Sequence, residues 1–270
     1  MKTACRQVQR EGKTLGFVPT MGALHEGHLS LVSAAQARCD VTAVSIFVNP
    51  LQFGPSEDLA AYPRNLERDA QLLDGLGVDL LFVPSVDEMY PEGAKTYVLV
   101  EELSDKLDGA SRPGHFRGVA TVVAKLFGIV SPDFAFFGQK DAAQVAVLRK
   151  MVSDLNLDVE LVVCPIVREK DGLAMSSRNA YLTPQQRQQA LVLYRSLMKV
   201  QAAADAGERD AAKLIEIGKR EIAKESGARL DYFAIVNPDT LEPVVDISRG
   251  ALVAVAVYVG TTRLIDSVLL

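Results

Sequence analysis

Over its first 165 residues the chain alternates short apolar runs with longer amphipathic stretches. Residues 15–18 (L-G-F-V) and 41–48 (V-T-A-V-S-I-F-V) are continuous apolar or β-branched runs, as expected of parallel strands covered on both faces. Residues 78–83, 134–137 and 159–164 predict three more strands, and 96–100 (T-Y-V-L-V) reads as a further one. Between them, helices are expected from the turn before Leu29 to about Arg38, and over the polar segment carrying Leu66, Leu72 and Leu73. Others are expected after Ser85, whose spacing to Glu88 is that of a capping box, over 119–129, and from Gly138-Gln139-Lys140-Asp141 to about Leu155. Strands alternating with helices imply an α/β fold built on a doubly wound, mostly parallel sheet. The pattern changes after Cys164. A charged loop leads to a polar helix opened by Pro184, a second helix spans about 210–225, and strands including 230–236 and 251–259 close the chain. Helices followed by strands predict a smaller α+β domain, so the chain divides into 1–167 and 168–270.

With 270 residues, 49% of them hydrophobic, the chain can bury a substantial core without disulfide staples. A net charge of −5 lacks the footprint of a nucleic-acid binder. Cys5, Cys39 and Cys164 are scattered and odd in number, which suits a reducing compartment rather than a secreted disulfide framework. The N-terminal stretch has no apolar run that could serve as a signal peptide, and no window approaches the roughly 20 apolar residues of a membrane span. These features predict a soluble, cytoplasmic protein with no membrane partner.

Two of the three histidines fall in one turn, where the apolar run 15–18 passes through Pro19 and Gly22 into a helix. A strand turning tightly into a helix leaves amide N–H groups and the positive end of the helix dipole facing one crevice. Phosphate is the usual guest of such a site. His25 and His28, at i and i+3, can both donate to one phosphate chain. The alternatives are a helix cap or, with the wrong spacing for a zincin and no further ligand cluster, a metal site. A second βα turn, Gly138 to Asp141, offers Lys140 as a point charge, Asp141 as an acceptor for ribose hydroxyls and Gln144 one helical turn on. If the two turns flank the reversal of winding they share a cleft; otherwise this is a solvated turn. Gln52, after the second strand, can donate and accept, as a hydroxy acid requires, or is a plain loop residue. The run Met175-Ser176-Ser177-Arg178 puts two hydroxyls beside a guanidinium, a fit for nucleotide phosphates, or is an interdomain linker. Arg112, His115 and Arg117 crowd one loop and read as solvated or as a subunit contact. No P-loop, no G-x-G-x-x-G fingerprint and no hydrolase triad is present.

Six segments in this order carry a resemblance: P-T-M-G-A-L-H-E-G-H-L-S-L-V (19–32), S-I-F-V-N-P-L-Q-F-G (45–54), Y-P-R (62–64), R-P-G-H-F-R-G-V (112–119), F-F-G-Q-K-D-A-A-Q (136–144) and M-S-S-R-N (175–179). With them the chain resembles the pantothenate synthetase (pantoate–β-alanine ligase) family, of the HxGH nucleotidylyltransferase and class I aminoacyl-tRNA synthetase-like superfamily. Beyond about residue 185 the likeness is one of length and layout only, and Gln139 stands where many members carry Glu. The resemblance implies a Rossmann-like ATP- and pantoate-binding domain over 1–167 and a C-terminal lid over 168–270. It implies joining of pantoate to β-alanine through an enclosed pantoyl-adenylate, with AMP and pyrophosphate as products, magnesium held by the ATP phosphates, and a homodimer. Carried over by position, Met21, Gly22, Ala23, Leu24, His25, Glu26, Gly27 and His28 line ATP, with His25 and His28 on the triphosphate and His28 as proton donor. Gly138 and Asp141 hold the ribose, with Gln139 beside them. Lys140, Ser176, Ser177 and Arg178 hold phosphates, and the backbone of Val167 and Met175 cradles the adenine. Gln52 and Gln144 bind pantoate, Gln52 also meeting β-alanine. The rival within the superfamily is a nucleotidylyltransferase, which leaves the nucleotide on its product.

Overall fold

The computed structural model describes residues 1–55 and 57–270; Ser56, inside the loop expected after the second strand, lies outside the described residues. The chain divides into two compact units, Met1–Gly138 with Val147–Pro165, and Gln139–Ala146 with Ile166–Leu270.

In the first unit, β1 (Leu15–Thr20), β2 (Val41–Ile46), β3 (Leu80–Phe82), β4 (Phe134–Gly138) and β5 (Glu160–Cys164) form one parallel sheet in the order β3-β2-β1-β4-β5. The register runs from Leu15 opposite Val41 to Thr20 opposite Ile46, and from Phe134 opposite Glu160 to Gly138 opposite Cys164. The sheet is covered because its strands are apolar on both faces: Phe17, Val18, Val44 and Phe136 are fully buried. Helices α1 (Lys2–Arg10), α2 (Glu26–Arg38), α3 (Leu66–Gly75), α4 (Val86–Met89), α5 (Asp108–Ser111) and α6 (His115–Val130) complete this unit. Leu31, Val32 and Ala35 on α2 pack with Val18, Val44 and Phe136, and each fully buried aliphatic side chain contributes about 1.5–3 kcal/mol. Winding proceeds outward from β1 through β2 to β3, then resumes at β4 on the other side of β1. The switch point therefore lies between β1 and β4, whose carboxyl ends are the turn before α2 and Gly138.

α7 (Ala142–Asp154) begins in the second unit and ends in the first. The second unit then builds α8 (Pro184–Asp205), α9 (Ala211–Ile222) and the antiparallel sheet β6 (Ala228–Val236), β7 (Leu252–Val259) and β8 (Thr262–Leu269). Thr183 caps α8 through a reciprocal bond with Gln186, with Pro184 at the first helical position. Val192, Leu193, Leu197 and Val200 of α8 close over Val253, Val255 and Val257 of β7 as a separate core.

One expectation fails. Residues 96–100 form no strand: Tyr97 and Leu99 are exposed, and the Val98 amide donates to Thr121 Oγ1 at 2.9 Å, not to a neighbouring strand. The β-branched alternation there has no sheet partner among the described residues. The polar N-terminal stretch, conversely, folds as α1, with Cys5 alone buried. No helix among the described residues is long and apolar enough to cross a membrane.

Candidate active site

The turn from β1 into α2 is built by three devices. Gly22 has φ +81° and Ala23 φ +51°, left-handed values that cost a non-glycine residue about 1–2 kcal/mol. A Cβ on Gly22 would lie 3.0 Å from Ile46 Cγ2 and 3.1 Å from Asp69 Oδ2. Asp69, on α3 and 1% exposed, accepts from the Ala23 amide at 2.7 Å and from the Leu24 amide at 3.0 Å. Its carboxylate thus fixes two strained successive peptides from another crossover.

The third device is the histidine pair. His25 is the N-cap of α2, its Nδ1 accepting from the Gly27 amide at 3.1 Å. His28 Nδ1 accepts from the His25 amide at 3.4 Å, completing a reciprocal capping box. The ring centroids are 4.1 Å apart. Because both Nδ1 atoms accept, the neutral rings carry their protons on Nε2, giving two donors on one helix turn. Capping and donation are thus both available to the same two rings. The expectation that the amides of this turn are left unpaired is corrected: Gly22, Ala23, Leu24, His25 and Gly27 N–H groups all have acceptors within the protein.

Gln52 is 9% exposed, in a short 3-10 turn after β2. Asn49 Nδ2 donates to its Oε1 at 3.1 Å, which leaves its amide group to donate, and Nε2 reaches Met21 Sδ at 3.0 Å. Asn49 Oδ1 in turn accepts from Tyr90 Oη at 2.8 Å, and burial pushes the Tyr90 phenol pKa up, keeping the donor protonated. Gly118 on α6 permits the close approach: a Cβ there would lie 2.2 Å from Leu51 O and 2.6 Å from Gln52 N.

Arg112 and His115 belong to this same construction, and the reading of them as solvated is corrected. Arg112 donates to Glu57 through Nε at 2.7 Å and Nη2 at 2.6 Å, and through Nη2 to Gln52 O at 3.3 Å. His115 Nδ1 donates to Gln52 O at 2.8 Å while its Nε2 lies 3.0 Å from Arg112 Nη1. An arginine cannot accept, so His115 Nε2 is the acceptor and the ring is neutral. Burial first, and the Arg112 charge second, push the His115 pKa down to about 4 from 6.5. Burial alone would raise the Glu57 carboxyl, but its bonds to Arg112 bring it below the ordinary value. Arg117, by contrast, is exposed, with its guanidinium 4.7 Å from the Tyr97 ring centroid.

The folded pKa of His115 lies below the unfolded one, so its neutral form favours folding fully above about pH 6.5 and this contribution is lost as pH falls towards 4. The expected loss at pH 4.5 is about 2 kcal/mol. His115→Asn, which keeps a donor for Gln52 O but does not titrate, should narrow the gap in urea stability between pH 7 and pH 4.5. An unchanged gap would contradict the neutral, doubly bonded imidazole.

A cavity of about 410 Å³ adjoins the turn, lined by Met21, Gly22, Asp69 and apolar groups including Ile46, Phe47 and Val86. Gln52, His25 and His28 do not line it, so it neighbours the histidine turn without containing it.

In the second unit, Gln139–Asp141 form a 3-10 turn that continues into α7, which bears Gln144 in its first turn. Lys140 Nζ donates to Asp141 Oδ1 at 3.3 Å, its side chain 19% exposed. Val167 and Met175 face each other across a hairpin, the Met175 amide donating to Val167 O at 3.0 Å. Ser176 Oγ accepts from the Arg178 amide at 3.3 Å and caps the 3-10 helix Ser177–Tyr181. Glu169 and Asp171 grip Arg187 from the same loop at 2.5 and 2.9 Å. His25, His28, Gln52 and Gly138 thus belong to the first unit, and Lys140, Asp141, Gln144 and the 167–178 loop to the second. Asp69, Asn49, Arg112 and His115 support the site without having been read as such. Nothing in the sequence tied Asp69 to a turn 45 residues away.

Parallel strands in the order β3-β2-β1-β4-β5, a histidine-capped helix at the switch point and a separate antiparallel unit define a Rossmann-like α/β protein with a smaller C-terminal α+β unit. Residues 1–269 match the family model described as pantoate-beta-alanine ligase. Curated relatives called pantothenate synthetase include that of Koribacter versatilis (strain Ellin345), 64% identical over all of this chain and 93% of its own length. The Thermotoga neapolitana relative is 57% identical over 100% and 96%. The crystal structure of pantoate-beta-alanine (pantothenate synthetase) from Thermus thermophilus superposes with a TM-score of 0.92 at 52% identity, covering 94% of this chain and 92% of that one. A Francisella tularensis pantoate-beta-alanine ligase complexed with beta-gamma ATP and beta-alanine gives 0.80 at 35%, covering 99% and 95%. The chain belongs to the pantoate–β-alanine ligase family, and it is an enzyme of that class.

Proposed function

We propose that this enzyme activates pantoate with ATP as an enclosed pantoyl-adenylate and then transfers the pantoyl group to β-alanine. In the first step a pantoate carboxylate oxygen attacks the α-phosphorus of ATP and pyrophosphate leaves. In the second, the β-alanine nitrogen attacks the acyl carbon, the C–O bond to phosphate breaks, and AMP and pantothenate are released. The observation that carries the reading is the reciprocal capping of His25 and His28, which presents two Nε2–H donors at the carboxyl end of β1. Full-length family membership and a relative holding an ATP analogue with β-alanine support it.

In this reading His25 and His28 donate hydrogen bonds from Nε2–H to the triphosphate, and the His28 bond strengthens as charge builds on the departing phosphate oxygen. Lys140 leaves Asp141 to meet a phosphate, freeing Asp141 for the ribose beside Gly138 and Gln139, while Ser176, Ser177 and Arg178 hold the remaining phosphate oxygens. Positioning and fixed charge supply most of the acceleration. The backbone of Val167 and Met175 receives the adenine, and Gln52 and Gln144 hold pantoate, with Gln52 also meeting β-alanine. Magnesium would be held by the ATP phosphates, where it would neutralise charge on the leaving pyrophosphate. We assign residues 1–167 to ATP and pantoate, 168–270 to a lid against water, and the enzyme to the cytoplasm as a homodimer.

Gln52→Ala tests the pantoate assignment, with an expected rise of about tenfold in pantoate KM, the scale of one lost hydrogen bond, and ATP KM little changed. An unaltered pantoate KM would remove Gln52 from the site. Free AMP should accumulate only when pantoate and β-alanine are both present; a stable nucleotide–acid product retained in the presence of β-alanine would instead indicate a nucleotidylyltransferase.

A further inference from the structure

Two consecutive residues near the C-terminus hold the turn that carries Lys140 and the hairpin that carries Met175. Asp266 and Ser267 on β8 are 3% and 2% exposed. Asp266 receives a two-pronged bond from Arg168, Nη1 to Oδ2 at 2.6 Å and Nη2 to Oδ1 at 2.9 Å. Planar, paired bonds of this kind fix orientation as well as distance. Arg168 is the residue after Val167, bridges Ala174 across the hairpin, and donates to Gly172 O at 3.0 Å. Its guanidinium also stacks 4.9 Å from the Tyr194 ring centroid on α8. The neighbouring Ser267 donates from Oγ to Gln139 O at 3.2 Å, 128 positions away in sequence. Gln139 directly precedes Lys140.

The pair is costly to maintain. Burial raises the Asp266 carboxyl, offset by the bonds and charge of Arg168, by the Ser267 amide and by the nearby Lys140 charge. Replacing a buried ion pair of this sort by apolar side chains is often neutral or stabilising, so stability alone is a weak reason for its presence. A buried serine hydroxyl spent on a turn carbonyl adds nothing to the apolar core of the second unit. Both features make sense as a means of fixing two loops to one strand.

We propose that Asp266 and Ser267 are positioning residues for nucleotide: β8 holds the Lys140 turn through Ser267 and the 167–175 hairpin through Asp266 and Arg168, setting the two loops in register for one ATP. This rests on the assignment of Lys140, Val167 and Met175 to ATP made above. Neither residue touches the reacting atoms; each acts through a loop.

Ser267→Ala removes the bond to Gln139 with minimal change in volume, and Ser267→Thr retains the hydroxyl. The expected result for Ser267→Ala is a fall in kcat/KM for ATP of about tenfold, the scale of one buried hydrogen bond, with β-alanine KM unchanged and the unfolding midpoint near that of wild type. Ser267→Thr should recover most of the loss. Asp266→Asn should raise ATP KM in the same direction, and if it fails to fold the serine pair still decides. Unchanged ATP kinetics in Ser267→Ala, or an equal loss towards all three substrates that threonine does not recover, would overturn the proposal. Absence of pantoate-dependent ATP turnover in the wild-type enzyme would instead overturn the functional reading on which it rests.

Discussion

His28→Ala and Lys140→Ala should each slow adenylation by about 10²-fold or more, the scale of one lost electrostatic contact in a preorganised site. For His28 the reason is geometric. Its Nδ1 accepts from the His25 amide, so the ring's one proton sits on Nε2, from which it can donate a hydrogen bond. Alanine removes that donor and half of the capping box together. His28→Asn separates the two, because its side-chain oxygen can still accept from the backbone. Its adenylation rate should stay low while the unfolding midpoint recovers. For Lys140 the loss is one positive charge towards a phosphate. Lys140→Arg should recover only part of it, since a planar fork does not replace a compact ammonium. Pre-steady-state measurement of adenylate formation checks both; near-normal rates in both alanine variants would remove the assignment.

Asp69→Ala should be the most damaging substitution outside the residues that meet substrate. It leaves the Ala23 and Leu24 amides without their acceptor beneath a turn in which Gly22 and Ala23 have positive φ. An unsatisfied buried amide costs about 1–3 kcal/mol, so a loss of about 3 kcal/mol in urea unfolding is expected. ATP KM should rise as well, because the same two peptides set where α2 begins. Asp69→Asn retains one acceptor oxygen and should fall between the two. A loss below about 1 kcal/mol would show that the turn holds its shape without the carboxylate.

The fold was legible in sequence where burial is two-sided. The strands at Val18 and Val44 announce themselves because they carry no charged residue and only the small hydroxyl side chains of Thr20, Thr42 and Ser45 among their apolar positions, and the helix after His28 because Leu31, Val32 and Ala35 share one face. The reading failed where apolar residues are exposed. Tyr97 and Leu99 alternate like a strand, yet no sheet receives them among the described residues.

The chemistry was legible as residue types, not as wiring. His25 and His28 could be placed on one turn from their spacing, but their mutual capping could not, because histidine is an uncommon cap. His115 and Arg112 looked solvated since a charged, glycine-bounded loop ordinarily is; their partner is a backbone carbonyl of Gln52, which leaves no mark in sequence. Asp266 lay in a strand of alternating pattern and was indistinguishable from a solvated acid until Arg168 was seen to meet it.

The proposed mechanism requires activation of a carboxylic acid by ATP before any amine is involved. Exchange of labelled pyrophosphate into ATP, measured without β-alanine, tests this most directly. Exchange that requires pantoate and collapses in His28→Ala is the predicted result. Exchange that proceeds without pantoate, or none at all with pantoate in an enzyme that still forms pantothenate, would contradict the adenylate route.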